Sequence, residues 1–373
     1  MNSTLRILMV VAFALMAVKT DAQDTLSPAV PIQVTPNDYA RFFAGLPVRA
    51  QSPLQKLMTQ PAAVAHTVET QKLTKKWESY RLSQIRTWAR QEIQPKIARQ
   101  AVLKYMFGGP DFVHVATLFP EIPEYVLVGM EPLGSIPDFF QMTPAQMNSY
   151  LSHLSFSLRS ISERNFFITK EMKEDFGKEG VDGVFPVLLY FSALTGHEVL
   201  DARYVTLDPD GKPVTCEAAA ATGVWIQIRP LNPSPQAPPT QSLYYFKTDL
   251  SDSGFKAGTP FHKFLVARPG GIGYLKAASY LMHTENFSNI RNFLVGDCRY
   301  ILQDASGIPA DFLAQYYNLT YYGNYIGPID MFSEFDQPGL RSIYQSGNVK
   351  KLPFGTGYRM KDEHSIQLFG VRK

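Results

Sequence analysis

Apolar residues fall along this chain in three patterns. The first is an unbroken run from Ile7 to Val18, with Arg6 before it and Thr20-Asp21-Ala22 after it. A basic flank, an apolar run of about twelve residues and small residues at a cleavage site mark a secretory signal peptide, cut before Gln23. The run is too short for a hydrocarbon layer that takes about 20 residues, so the expectation is an exported protein, periplasmic or secreted. The second pattern has helical spacing. From Thr67 to Arg90 the residues Leu73, Trp77, Tyr80, Ile85 and Trp88 share one side, and Lys72, Lys75, Lys76, Arg86 and Arg90 another, until Pro95 interrupts. A further helix opens at Thr143-Pro144, a cap followed by proline in the first turn, and runs to about Phe167.

The third pattern is short apolar runs, which predict strands over 102–107, 112–119, 124–130, 185–193, 198–206, 223–229 and 242–248. Asp208-Pro209-Asp210-Gly211 is a turn. Residues 230–239 hold five prolines and read either as a linker or as a long hairpin loop between two strands. Helices are expected again over 262–267, 273–282 and 288–295, and a final strand over 366–371. Residues 23–66 show no sustained period and read as an extended, partly disordered arm. The fold class is α/β or α+β mixed: a central, largely antiparallel or mixed sheet flanked by helices, in one unit over 67–373 that permits a subdivision near 250.

Charge narrows the partners. Loss of residues 1–22 removes Arg6, Lys19 and Asp21 and leaves 34 basic against 32 acidic residues, a net charge of +2. Phosphate recognition usually shows as a strongly basic face, so nucleic acid is not expected as a partner. No second apolar run approaches the length of a membrane span, and oligomeric state is not legible. Charged residues make up 18% of the chain, below the usual share of about 25%, and aromatic residues 13%, which points to aromatic surface or an aromatic groove. Cys216 and Cys298 are the only cysteines; in an oxidising compartment they could form one disulfide or stay as separate thiols.

Three clusters carry candidate chemistry. The runs 112–119 and 124–130 are joined by Pro120-Glu121-Ile122-Pro123, short enough for an antiparallel hairpin. That register brings Asp111 and Glu131 to its open end beside Gly108-Gly109-Pro110, sets His114 opposite Gly129, and leaves Asp138 nearby. Two carboxylates and an imidazole could work as acid and base in a hydrolase-like enzyme, or hold a divalent metal; as ordinary structure they are a turn cap, a strand-end carboxylate and a core histidine. The second cluster surrounds His283 at a predicted helix C-terminus, where the helix dipole favours an imidazolium; Asp304 occupies a strand-end turn. The third is Tyr316, Tyr317, Tyr321, Tyr322 and Tyr325, rings that could stack on a glycan or equally pack a sheet edge. GxSxG, HExxH, P-loop and GxGxxG patterns are missing. The expected function is therefore non-catalytic binding of a glycan or an envelope protein, with the enzyme of Asp111, His114 and Glu131 as the alternative.

Gly109-Pro110-Asp111-Phe112, Phe119-Pro120, Gly129-Met130-Glu131-Pro132-Leu133-Gly134, Tyr280-Leu281-Met282-His283 and Asn292-Phe293-Leu294 together resemble a family of exported bacterial proteins without an assigned activity. The resemblance spans most of the mature chain and implies export, and it brings no catalytic residues with it.

Overall fold

The computed structural model describes residues 33–164, 183–360 and 363–373; the leader and the end of the helix expected to reach Phe167 lie outside them. The first described element, α1 (Pro36–Phe43), starts at a reciprocal cap: Asp38 N–H donates to the Thr35 hydroxyl and Thr35 N–H to the Asp38 carboxylate. Phe42 and Phe43 are buried against Phe139. The extended arm expected over 23–66 is thus folded from residue 36 on, and a helix this short offers too few turns for its period to be seen. Next come α2 (Pro61–Trp77) and α3 (Ser83–Trp88), joined through a π-turn at Glu78–Leu82. Trp77, Ile85 and Trp88 are buried while Lys72, Lys75, Lys76 and Arg90 face water. The basic stripe is the solvated side of a docked helix, and Arg86 is paired with Glu78.

Among the described residues, ten strands form one mixed sheet. In chain order they are β1 (Val102–Tyr105), β2 (Glu124–Gly129), β3 (His197–Leu207), β4 (Pro213–Thr215), β5 (Gly223–Pro230), β6 (Gln241–Lys247), β7 (Ile272–Leu275), β8 (Tyr300–Gln303), β9 (Tyr317–Gly323) and β10 (Ile366–Arg372). Across the sheet they run β4-β3-β5-β6-β2-β1-β7-β8-β10-β9. The ladder β6-β2-β1-β7-β8 is parallel; β3, β4 and β5 extend one side and β9 and β10 the other through antiparallel pairs. The proline-rich 230–239 segment is the loop of the β5–β6 hairpin, and β1 pairs directly with β7, so the sheet runs across residue 250.

Alternation along each strand builds a core on both faces. Leu103, Tyr105, Leu127, Tyr245 and Tyr274 point to one side, under α1 to α3, α4 (Phe112–Leu118), α5 (Pro144–Arg164) and α6 (Val184–Leu194). Val126, Val128, Phe246, Leu275 and Ile301 point to the other, under α7 (Pro260–Val266) and α8 (Ser288–Asp297). Lys104 belongs to this second face. Its ammonium is satisfied by Asp297 and the carbonyls of Arg268 and Gly270.

Three expected elements change type. Residues 112–119 and 185–193 were expected as strands and are the helices α4 and α6; 273–282 was expected as a helix and contains β7 followed by a short helical turn over Ala278–His283. Every residue of α4 is buried, as are Val184–Ala193 of α6. A helix covered all round keeps no polar face, so its period vanishes and it reads as a buried strand. The disulfide also drops out, because Cys216 and Cys298 are free thiols. Cys216 follows the edge strand β4 and Cys298 precedes β8, seven strands away; at about 4.8 Å per strand that is roughly 34 Å, far beyond the reach of one S–S bond.

Candidate functional site

The strand order reverses at β1: the chain goes from β1 outward to β2 and β6 on one side, and from β7 outward to β8 on the other. In an open parallel sheet the connections leave a crevice at such a point, outside the carboxyl ends of the strands. A cavity of about 230 Å³ lies there. Its wall comes from the segments after β1 (Phe107, Gly108, Gly109, Asp111), β2 (Gly129, Met130, Glu131), β6 (Thr248, Asp249, Leu250) and β7 (Lys276, Ala277), with Leu281 and Phe287 closing one side.

Asp111 and Glu131 therefore meet in one crevice, although the hairpin that predicted it is absent. The connection between β1 and β2 is α4, the two strands are parallel, and Val102 pairs with Glu124. Asp111 and Glu131 share the crevice because each follows the carboxyl end of one of two neighbouring parallel strands. His114 does not face Gly129; it lies in the first turn of α4 and turns back to Asp111, with Nδ1 2.5 Å from Oδ1. The second carboxylate oxygen of Asp111 accepts from Lys276 Nζ at 2.5 Å and from the Tyr105 hydroxyl at 3.0 Å. All four side chains are buried. Burial raises the Asp111 carboxyl, but His114 and Lys276 beside it outweigh that and hold it below its ordinary value. Burial lowers both His114 and Lys276, partly countered by Asp111. A carboxylate can only accept, so Nδ1 of His114 carries the proton and its bare Nε2 points into the core, where no polar atom meets it.

Glu131 is held differently. Its carboxylate lies along the glycine turn: a Cβ built on Gly109 would come within 3.3 Å of Oε1, and one on Gly129 would strike Oε2 and the Cα of Gly109. Gly129 has no room for a side chain; at Gly109 a Cβ would fit tightly, and the constraint there is its positive φ of 55°. The Tyr245 hydroxyl, rising from β6, donates to Oε2 at 3.0 Å.

Backbone strain is concentrated at the same place. Phe107 and Ala277 are the non-glycine residues with positive φ among the described residues, and both line the crevice. Ala277, at φ 60° and ψ −92°, makes the sharp bend from β7 into the turn that follows. Its N–H donates to Asp304 at 3.0 Å, and Asp304 also accepts from the Ser306 N–H and hydroxyl. Asp304 thus serves as a brace for the bend, its carboxyl raised by burial. Such strain costs about 1–3 kcal/mol a residue and gathers at working sites.

The other sequence candidates lie elsewhere. His283 packs between Tyr280 and Phe335, and burial holds it down to about 4, so it is a neutral ring and not the imidazolium expected at a helix end. Tyr317, Tyr322 and Tyr325 are buried, Tyr321 is half-buried and Tyr316 is exposed; β9 turns alternate rings to opposite faces, and no shared stacking platform results. Asp138 caps its own turn through Phe140 N–H. Among the described residues no three His, Cys, Asp or Glu side chains are disposed to hold a metal ion, so Asp111, His114 and Glu131 are not a ligand set. Lys276, Ala277, Tyr105, Tyr245 and Asp249 escaped the sequence reading. Four apolar residues before Lys276 are too few to declare a strand, and without β7 nothing marks its carboxyl end.

These features define the class: a mixed α/β protein, doubly wound about its parallel strands, with a crevice at the point where strand order reverses. No family model, curated protein or solved structure matches the chain. No helix of the described residues is long and apolar enough to cross a membrane.

Proposed function

We propose that this is an exported binding protein whose crevice takes a nucleoside-type small molecule, with Glu131 as the group that reads the ribose. The observation that carries the reading is the position of Glu131. In doubly wound folds the turn after the first strand is built on glycine, and an acidic side chain about 20 residues further on accepts the ribose hydroxyls. Here the turn is Gly108-Gly109, the acidic residue follows the adjacent strand β2, and its carboxylate lies over the turn, where Gly129 has no room for a side chain and Gly109 takes a positive φ. The apolar side formed by Phe107, Leu281 and Phe287 suits the face of a base. Size favours one nucleoside over a dinucleotide, since about 230 Å³ lies below even the roughly 300–1,000 Å³ usual for small-molecule and cofactor pockets. Export rests on the leader and on the family resemblance. Binding is favoured over the hydrolase alternative because the Asp111 carboxylate and the Nδ1 proton of His114 are turned to each other and to Lys276 and Tyr105 inside the protein.

Calorimetric titration of the mature chain with adenosine, guanosine, cytidine and uridine tests this. At least one should bind below 1 mM, on the order of −4 kcal/mol, and Glu131→Gln should weaken it by about tenfold or more, the value of a hydrogen bond to a charged acceptor. Absence of binding by all four, or equal affinity in the Gln variant, would overturn the reading.

A further inference from the structure

Away from the crevice, the outward side of α2 and α3 carries a row of basic and apolar side chains. Opposite the buried Ala63, His66, Thr70 and Trp77, the row begins with Val64 and Val68, one turn apart and 47% and 57% exposed, and passes through Lys72, Lys75 and Lys76 to Tyr80, 69% exposed. The π-turn over Glu78–Leu82 takes up one extra residue, so the row stays in phase as far as Arg90, exposed where Trp88 and Ala89 beside it are buried. At 1.5 Å a residue it runs for about 39 Å.

Its unmatched charges have one sign. The acids of this stretch are already paired, Glu69 with Arg159 of α5, Glu78 with Arg86, and Glu92 with Lys96 and Lys350. Lys72, Lys75, Lys76 and Arg90 are exposed, and none of them is in an ion pair among the described residues. Lys72 and Lys76 stand at i and i+4, a like-charge spacing that weakens a helix in water and is relieved beside an anionic surface. A soluble polyanion would match the lysines but leave Val64, Val68 and Tyr80 in water. A bilayer of anionic phospholipid takes both parts of the row: its surface potential attracts the ammonium groups, and its headgroup boundary accepts valine side chains and a phenol ring.

We propose that this row docks the protein on the surface of an anionic phospholipid bilayer, with α2 lying along the surface. Docking is independent of what the crevice binds. The test is co-sedimentation of the mature chain at low salt with vesicles of phosphatidylcholine alone and of equimolar phosphatidylcholine and phosphatidylglycerol. The protein should bind the anionic vesicles and leave the neutral ones in suspension without it. A lysine near an anionic surface is worth about fivefold in affinity, so Lys72→Ala, Lys75→Ala and Lys76→Ala together should weaken binding on the order of a hundredfold. Thermal unfolding of that variant should be no lower than the parent's, since the three side chains are exposed and unpaired. Val64→Ser with Val68→Ser should weaken binding severalfold and leave a remainder that salt screens away. Equal binding to both kinds of vesicle, binding to neither, or an unaltered affinity in the triple-lysine variant would overturn docking. Soluble polyphosphate bound as tightly as the anionic vesicles, with the two-valine variant matching the parent on both, would make the row a polyanion site and overturn the lipid assignment.

Discussion

The pair formed by Asp111 and Lys276 can be taken apart in a way that separates a structural bolt from a catalytic group. The two atoms stand 2.5 Å apart and the side chains are 2% and 1% exposed. Two charges so deep are tolerable only because each neutralises the other and Tyr105 and His114 complete the hydrogen bonding. Asp111→Asn keeps the shape and leaves an ammonium facing a neutral amide. Removing one partner of a buried pair costs about 3–5 kcal/mol. Lys276 responds by giving up its proton more readily, since burial already lowers it and Asp111 is what resists that. Lys276→Met strands the carboxylate instead and should cost a similar amount. With both changes no unpaired charge remains, so the double variant should be less destabilised than the sum by about 3 kcal/mol. Urea unfolding of the four proteins, with slopes fitted separately, measures the cycle. Single-variant losses below about 1 kcal/mol, or additivity within about 0.5 kcal/mol, would refute the account and return Asp111 to consideration as a reactive carboxylate.

Two further expectations use other buried groups. Burial holds His197 down to about 4 from an ordinary 6.5. Between those values the unfolded chain binds a proton that the folded chain refuses, so this contribution is complete above pH 6.5 and is lost as pH falls, amounting to about 3 kcal/mol at pH 4. His197→Gln should flatten the stability profile by that much over this window; a variant with the wild-type slope would contradict the assignment. Cys298 is fully buried with its thiol pushed up to about 12, whereas Cys216 is partly exposed. A thiol reagent should therefore titrate one cysteine per native chain and two after unfolding under non-reducing conditions, and a count of none in the unfolded chain would mean that the two are bonded after all.

Much of the fold was legible where one face of an element meets water. The strands β3 and β5, the hairpin that returns through 230–239, and the last strand β10 each fall where alternation and turn residues put them. The docked helix with Trp77 and Trp88 inside was legible for the same reason, since its lysines mark the outer side. Legibility failed wherever an element is covered on all sides. Val113, Val115 and Leu118 in α4, and Leu188, Leu189 and Phe191 in α6, have no exposed polar face to set a phase, because His114, Thr117 and Ser192 are buried with them, and a mostly apolar run of that length fits a strand as well as a helix. The β-branched valines of α4 tilt propensity further the wrong way. The capped start of α1 was hidden by brevity, with Thr35-Pro36 and Asp38 present but only eight residues behind them.

The meeting of Asp111 and Glu131 in one crevice survived the error in the element beside it, and the reason is geometric. A hairpin and a parallel β-α-β unit place different residues opposite one another along the strands. In the parallel unit, residues just past the carboxyl ends of neighbouring strands gather at one edge of the sheet, so Asp111 and Glu131 come together through β1 and β2 whatever α4 is. What the hairpin could not supply was the third wall. Lys276 and Ala277 arrive from β7, which is distant in sequence and four residues long, and they enter only once β1 is seen to pair with β2 on one side and β7 on the other. Lys276 is also what changes the chemistry. Without it, Asp111 and His114 beside a glycine turn look like an acid and a base awaiting a substrate; with its ammonium on Asp111, they are a neutralised cluster that fixes the turn.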